Sequence, residues 1–153
     1  MIWEQELTQV LKKEEELLSG LAECAERKTD LLAHGKVEEI GALLEREQPL
    51  SLELQGQEAV RLELLRQNGF EGLTMRAVAS RAQEAFRPLL EAQRSALFEL
   101  ATRVRERNLH NLELTRSRVE LYGKLRSQFT VPVYGRSGSP AQDGAAGLYN
   151  RRV

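Results

Sequence analysis

With 153 residues, 41% of them apolar and only 5% aromatic, the chain has room for one domain whose modest core must come from Leu, Ala and Val, the composition of a helical bundle or coiled coil. The net charge of −1 hides a gradient, from −7 over residues 1–68 through neutrality over 69–100 to +6 over 101–153, so an acidic first half joins a basic last third. No apolar run approaches the roughly 18 residues that a bilayer crossing needs, MIWEQEL carries neither a basic stretch nor an apolar leader, and Cys24 has no second cysteine to pair with, which together predict a cytoplasmic protein without membrane insertion.

From Glu4 to Ala33, Leu7, Val10, Leu11, Leu17, Leu18, Leu21, Cys24, Ala25, Leu31 and Leu32 keep a seven-residue spacing, with Glu14 and Lys28 at two seam positions. That spacing predicts a first helix. His34 and Gly35 end it, because glycine takes the left-handed conformation that closes a helix, and His34 serves as a capping or dipole-compensating residue. A second helix is predicted from Lys36 to about Gln67, antiparallel to the first because the turn is so short. Pro49 lies inside it, and the apolar spacing continues in phase from Leu44 to Leu54, so a bend is expected there and not a break. Asn68 and Gly69 stop this helix, leaving Phe70 and Leu73 to plug the open end of the hairpin.

Thr74 is placed to cap a short helix from Met75 to about Phe86. Pro88 then either opens a long helix in its first turn or kinks a continuous one. The long helix, Leu89 to Phe129, carries Leu90, Leu97, Val104 and Leu125 at seven-residue spacing, interleaved with Leu100, Leu121 and Tyr122. Its seam is interrupted by Gln93, Asn108, Asn111, Thr115 and Arg118, polar residues of the kind that fix register more than they stabilise. About 40 residues would span roughly 60 Å, so partners must lie alongside. The fold expected is all-α: a long antiparallel helical hairpin with a third long helix packed alongside, coiled-coil-like, over residues 1–129, and a flexible C-terminal tail over 130–153, where the composition turns to Gly, Pro and Ser.

No catalytic constellation is present. The two histidines, His34 and His110, and the lone cysteine assemble no metal site, no Gly-x-Ser-x-Gly or phosphate-binding loop occurs, and no cofactor is expected. The glutamates, Glu14 to Glu16 among them, read as solvated outer faces. Arg103, Arg105, Arg107, Arg116 and Arg118 read first as partners for glutamates on the first two helices, and only secondarily as a nucleic-acid surface. What remains is a helical protein that presents apolar surface to another protein.

ERKTDLLAHGKVEEIGALLEREQPLSLELQGQEAVRLELL resembles the first hairpin of FlgN-type flagellar export chaperones, and NLHNLELTRSRVELYGKL resembles that family's third-helix signature, with Asn108, Asn111 and Leu114 at the matching positions. Leu112 stands where the family often has glycine, and Tyr134-Gly135 is similar to the family's tail. The resemblance implies a chaperone that binds the hook–filament junction proteins FlgK and FlgL, keeps them unpolymerised and hands them to the export gate, whose docking component is FlhA. An apolar helix of such a client needs a helix-in-groove partner. Val119, Leu121, Leu125 and Phe129, extended by Val131 and Val133, are the residues expected to form it, the alternative for Leu121 and Leu125 being ordinary packing against the hairpin. The resemblance further implies a gate-docking tyrosine in this region, for which Tyr122 is the candidate, its alternative an aromatic at the core's edge. A self-associating coiled coil, a homo-oligomer, is the second functional reading, and a nucleic-acid binder the third.

Overall fold

The computed structural model describes residues 2–128. Helix α1 spans Trp3–Ala33, α2 Ile40–Gln67, α3 Met75–Ser80 and α4 Arg87–Gln128, with a 3-10 turn at Val37–Glu39 leading into α2 and no strand among the described residues. The second helix therefore starts later than the sequence predicts.

Both ends of the hairpin close in the same way. After α1, Gly35 takes φ +70°, the Gly35 N–H donates to the Leu32 carbonyl (3.4 Å) and the Lys36 N–H to the Leu31 carbonyl (2.9 Å). After α2, Gly69 takes φ +78°, with Gly69 N–H to Arg66 and Phe70 N–H to Leu65 (2.8 Å). This paired closure satisfies carbonyls that the helix end leaves free, and only glycine adopts its left-handed residue without strain. The Nδ1–H of His34 donates to the Asp30 carbonyl (2.8 Å), the capping role expected of it. Phe70, delivered by the second closure, packs edge-on against Trp3 with ring centroids 4.9 Å apart, and with Leu73 it seals the base of the hairpin.

Pro49 leaves α2 uninterrupted. Thr74 caps α3, accepting from the Ala77 N–H, but α3 ends at Ser80, not near Phe86. Beyond it the chain is held in turns, where the carboxylate of Glu4 accepts the Gln83 N–H (3.3 Å) and the Arg87 side chain donates to the Ala82 carbonyl (2.8 Å). Pro88 falls in the first turn of α4, where its missing N–H costs nothing, so it opens that helix.

Helix α1 is the shared element: it packs along both α2 and α4, while α2 and α4 approach each other little. At the base, Leu7, Leu11 and Leu18 of α1 meet Leu54, Leu64 and Leu65 of α2, Met75 and Val78 of α3, and Leu90, Leu97 and Val104 of α4 in one core. Each such side chain contributes roughly 1.5–3 kcal/mol by leaving water. Towards the turn, a smaller cluster of Cys24, Leu31 and Leu43 joins α1 to α2. Burial there raises the Cys24 thiol above its ordinary pKa.

The polar seam positions of α1 find partners on α2. Lys28 pairs with Glu47 (2.8 Å), and Glu14 pairs with Arg61 (3.2 Å), the two residues of the latter pair being 0% and 1% exposed. Glu14 is therefore no part of a solvated outer face. The reading fails for it because the partner that makes its burial tolerable, Arg61, lies 47 residues away in sequence.

Candidate partner-binding surface

The register of α4 on α1 sets where its seam is covered and where it is not. Gln93 donates to the Thr8 carbonyl (3.0 Å), Asn111 to the Ala25 carbonyl (3.0 Å), and Arg118 to the Ala33 carbonyl (3.4 Å), at sequence separations of 85, 86 and 85. A constant separation means that the two helices run parallel and in step over the whole length of α1. The Thr29 hydroxyl, also within reach of the Ala25 carbonyl, donates to Asn111 Oδ1 (2.6 Å), so this buried amide is satisfied at both ends. Of the family signature residues, Asn111 is buried, whereas Asn108 and Leu114 are half-buried.

Arg118 closes the covered part. Helix α1 has no basic residue in its last turn, and the Arg118 guanidinium supplies the missing positive end from α4, lying against Gly35 and reaching the Ala33 carbonyl. Past this point α4 runs on for ten residues, about 15 Å, while α1 has ended.

The seam does not stop with its partner. Leu90, Leu97, Val104, Asn111, Arg118 and Leu125 are one series at seven-residue steps, so Leu125 faces the way Leu97 does. Leu97 is fully buried, yet Leu125 is 46% exposed, Leu121 59% and Tyr122 65%. Leu121, Tyr122 and Leu125 make one stripe, since residues three and four apart share a helix face. Leu121 and Leu125, for which ordinary packing against the hairpin is the alternative, are exposed in this structure. Val119 is also exposed and, three residues before Tyr122, borders the stripe on the Tyr122 side. Phe129, Val131 and Val133 lie outside the described residues, as does the tail expected over 130–153.

Charges rim the stripe. Lys124 and Arg126 stand on its two sides, the Arg126 guanidinium 5.7 Å from the centre of the Tyr122 ring. Neither is singled out by composition or motif. The signal that finds Lys124 is its heptad position, the one held three repeats earlier by Arg103, and Arg103 pairs with Glu26 of α1. Of the C-terminal arginines expected to face hairpin glutamates, Arg103 pairs with Glu26 and Arg107 lines a recess with that pair, whereas Arg105 and Arg116 are exposed among Glu106, Glu113 and Glu120. Acidic neighbours of that frequency divide the positive potential that a nucleic-acid surface would need.

A shallow recess at the base is lined by Ala59, Leu62, Phe70 and Leu73, with Glu63 and Arg66 paired beside it. Among the described residues no three His, Cys, Asp or Glu side chains come together in a metal-binding group, and no helix is long and apolar enough to cross a membrane.

Comparison with known proteins gives one match. A protein-family model described as FlgN protein matches residues 1–141, which takes in every helix of the structure. No curated protein and no solved structure matches the chain.

Proposed function

As the chain belongs to the FlgN family and is a flagellar export chaperone, we propose that its clients are the hook–filament junction proteins FlgK and FlgL, held in the cytoplasm by the exposed end of α4. The observation that carries this reading is the continuation of the α4 seam, as Leu121, Tyr122 and Leu125, past the end of α1, the helix that covers it among the described residues. A helix of a client laid on this stripe takes the place α1 would fill if it were longer, and in doing so buries the client's own apolar face. A client so covered is kept from polymerising. We propose that the client surface continues through Phe129, seven residues beyond Tyr122, and Val131 and Val133 after it.

Tyr122 we assign to docking at FlhA, the most exposed ring of the stripe offering a hydroxyl at the rim of the apolar surface. Because it shares a face with Leu125, its replacement is best read on both activities.

Calorimetry of the full chain with C-terminal segments of FlgK and of FlgL tests the proposal. Leu125→Asp and Phe129→Asp are expected to weaken binding at least about tenfold, since a carboxylate is buried only at a cost of several kcal/mol, with circular dichroism unchanged. Tyr122→Ala is expected to reduce capture by FlhA more than it reduces client affinity. Undiminished client binding by a folded Leu125→Asp chain would place the client elsewhere. A long-lived dimer that binds neither segment would favour the self-associating coiled coil.

A further inference from the structure

The part of the seam already occupied shows what kind of helix it accepts. Along α1, the apolar series is flanked at one heptad position by Arg103, and the helix lying there answers with Glu26. Three heptads on, Lys124 holds the same position beside Leu121 and Leu125, with no helix opposite it among the described residues. Arg126 stands on the opposite flank, three heptads after the exposed Arg105. Between Arg116 and Gln128 the helix carries four basic side chains, Arg116, Arg118, Lys124 and Arg126, against one acidic, Glu120. The uncovered stripe is thus apolar along its centre and positive on both edges, and it is continuous with an interface in which the same helix is paired to an acidic one.

We infer that the overhang of α4 selects an acidic amphipathic helix, one that sets a Glu or Asp against Lys124 as α1 sets Glu26 against Arg103, and discriminates against a basic helix of equal apolar character. The inference rests on the reading of the overhang as the client surface and specifies the chemistry of what it takes. Flanking charges of this kind set partner choice in coiled coils more than they set raw affinity. A basic helix meets Lys124 and Arg126 as like charges, which is the repulsive half of the discrimination.

The probes are two synthetic peptides of about three helical turns, stapled to equal helicity, with the same leucine seam and with either Glu or Lys at the flanking positions. Titrated into the full chain at low salt, the Glu-flanked peptide is expected to bind about tenfold more tightly than the Lys-flanked one, the scale of two or three rim ion pairs. The gap should narrow at high salt and reverse in the double variant Lys124→Glu, Arg126→Glu, while Leu125→Asp weakens both peptides. Equal affinities in the native chain, or a preference that survives the charge reversal, would overturn the inference. So would a dimer of the chain that depends on Leu125 and excludes both peptides, because the occupant would then be a second copy. The client proposal fails separately. If FlgK and FlgL segments do not bind while the Glu-flanked peptide does, the client assignment falls and the charge selection stands. If those segments bind the charge-reversed chain as tightly as the native one, the selection falls and the client assignment stands.

Discussion

Asn111 and Glu14 both break apolar seams, and the structure gives each a different partner. Asn111 reaches a helix carbonyl and a threonine hydroxyl on α1, so its amide is used at both ends without any charge being buried. Glu14 forms a fully buried ion pair with Arg61. Such a pair contributes little net stability over an apolar one, but breaking it is costly because a charge is left in the interior. Arg61→Leu is expected to lower stability by about 3–5 kcal/mol in urea denaturation, and adding Glu14→Leu to recover most of that loss. A double variant no more stable than the single one would show that the pair is not what holds these positions. In the sequence both residues were visible as interruptions of a heptad pattern. Their partners were not, since Arg61 and Ala25 are set by how two helices slide along each other, a quantity that local spacing does not contain.

Helix identity was legible because each long segment carries its own periodicity, and the ends at Gly35 and Gly69 were legible because glycine is the residue that a left-handed closure requires. The end of α3 was not. The turns beyond its boundary at Ser80 are held by Glu4, 79 residues from its partner Gln83, as well as by the nearby Arg87, and the first of these is not local to it. The length of α4 could be read, but its excess over α1 could not, because that depends on the register fixed by Gln93, Asn111 and Arg118. The excess leads to a test at this scale. Truncation after Arg118 removes residues that belong to neither core cluster, so the shortened protein is expected to keep its helical body, with a melting temperature within a few degrees of the full chain's, and to lose client binding. Loss of cooperative unfolding on truncation would mean that the end of α4 supports the body.

At the scale of the molecule, the acidic-to-basic gradient seen in the sequence divides into two uses. Arg103 joins the halves through Glu26, while Lys124 and Arg126 lie beyond the hairpin and rim the exposed stripe. Composition reported the gradient but could not apportion it. The parallel, in-step pairing of α1 with α4 also bears on time. Helices α1 and α2 are joined by a turn of a few residues, whereas the α1–α4 hydrogen bonds close loops of 77 to 86 residues. Because the entropy of a long loop must be lost before its contacts return anything, the hairpin is expected to form early and α4 to dock late. Asn111→Ala should then speed unfolding with little effect on the folding rate, as a chevron analysis would show, and an equal slowing of folding would contradict it. On the ribosome the order is the same by necessity. The acidic hairpin emerges with the α4-facing side of α1 bare, an apolar seam that α4 does not cover until the second half of the chain is made. During synthesis this chaperone is itself a chain with an uncovered amphipathic helix, the same condition it is proposed to relieve in its clients.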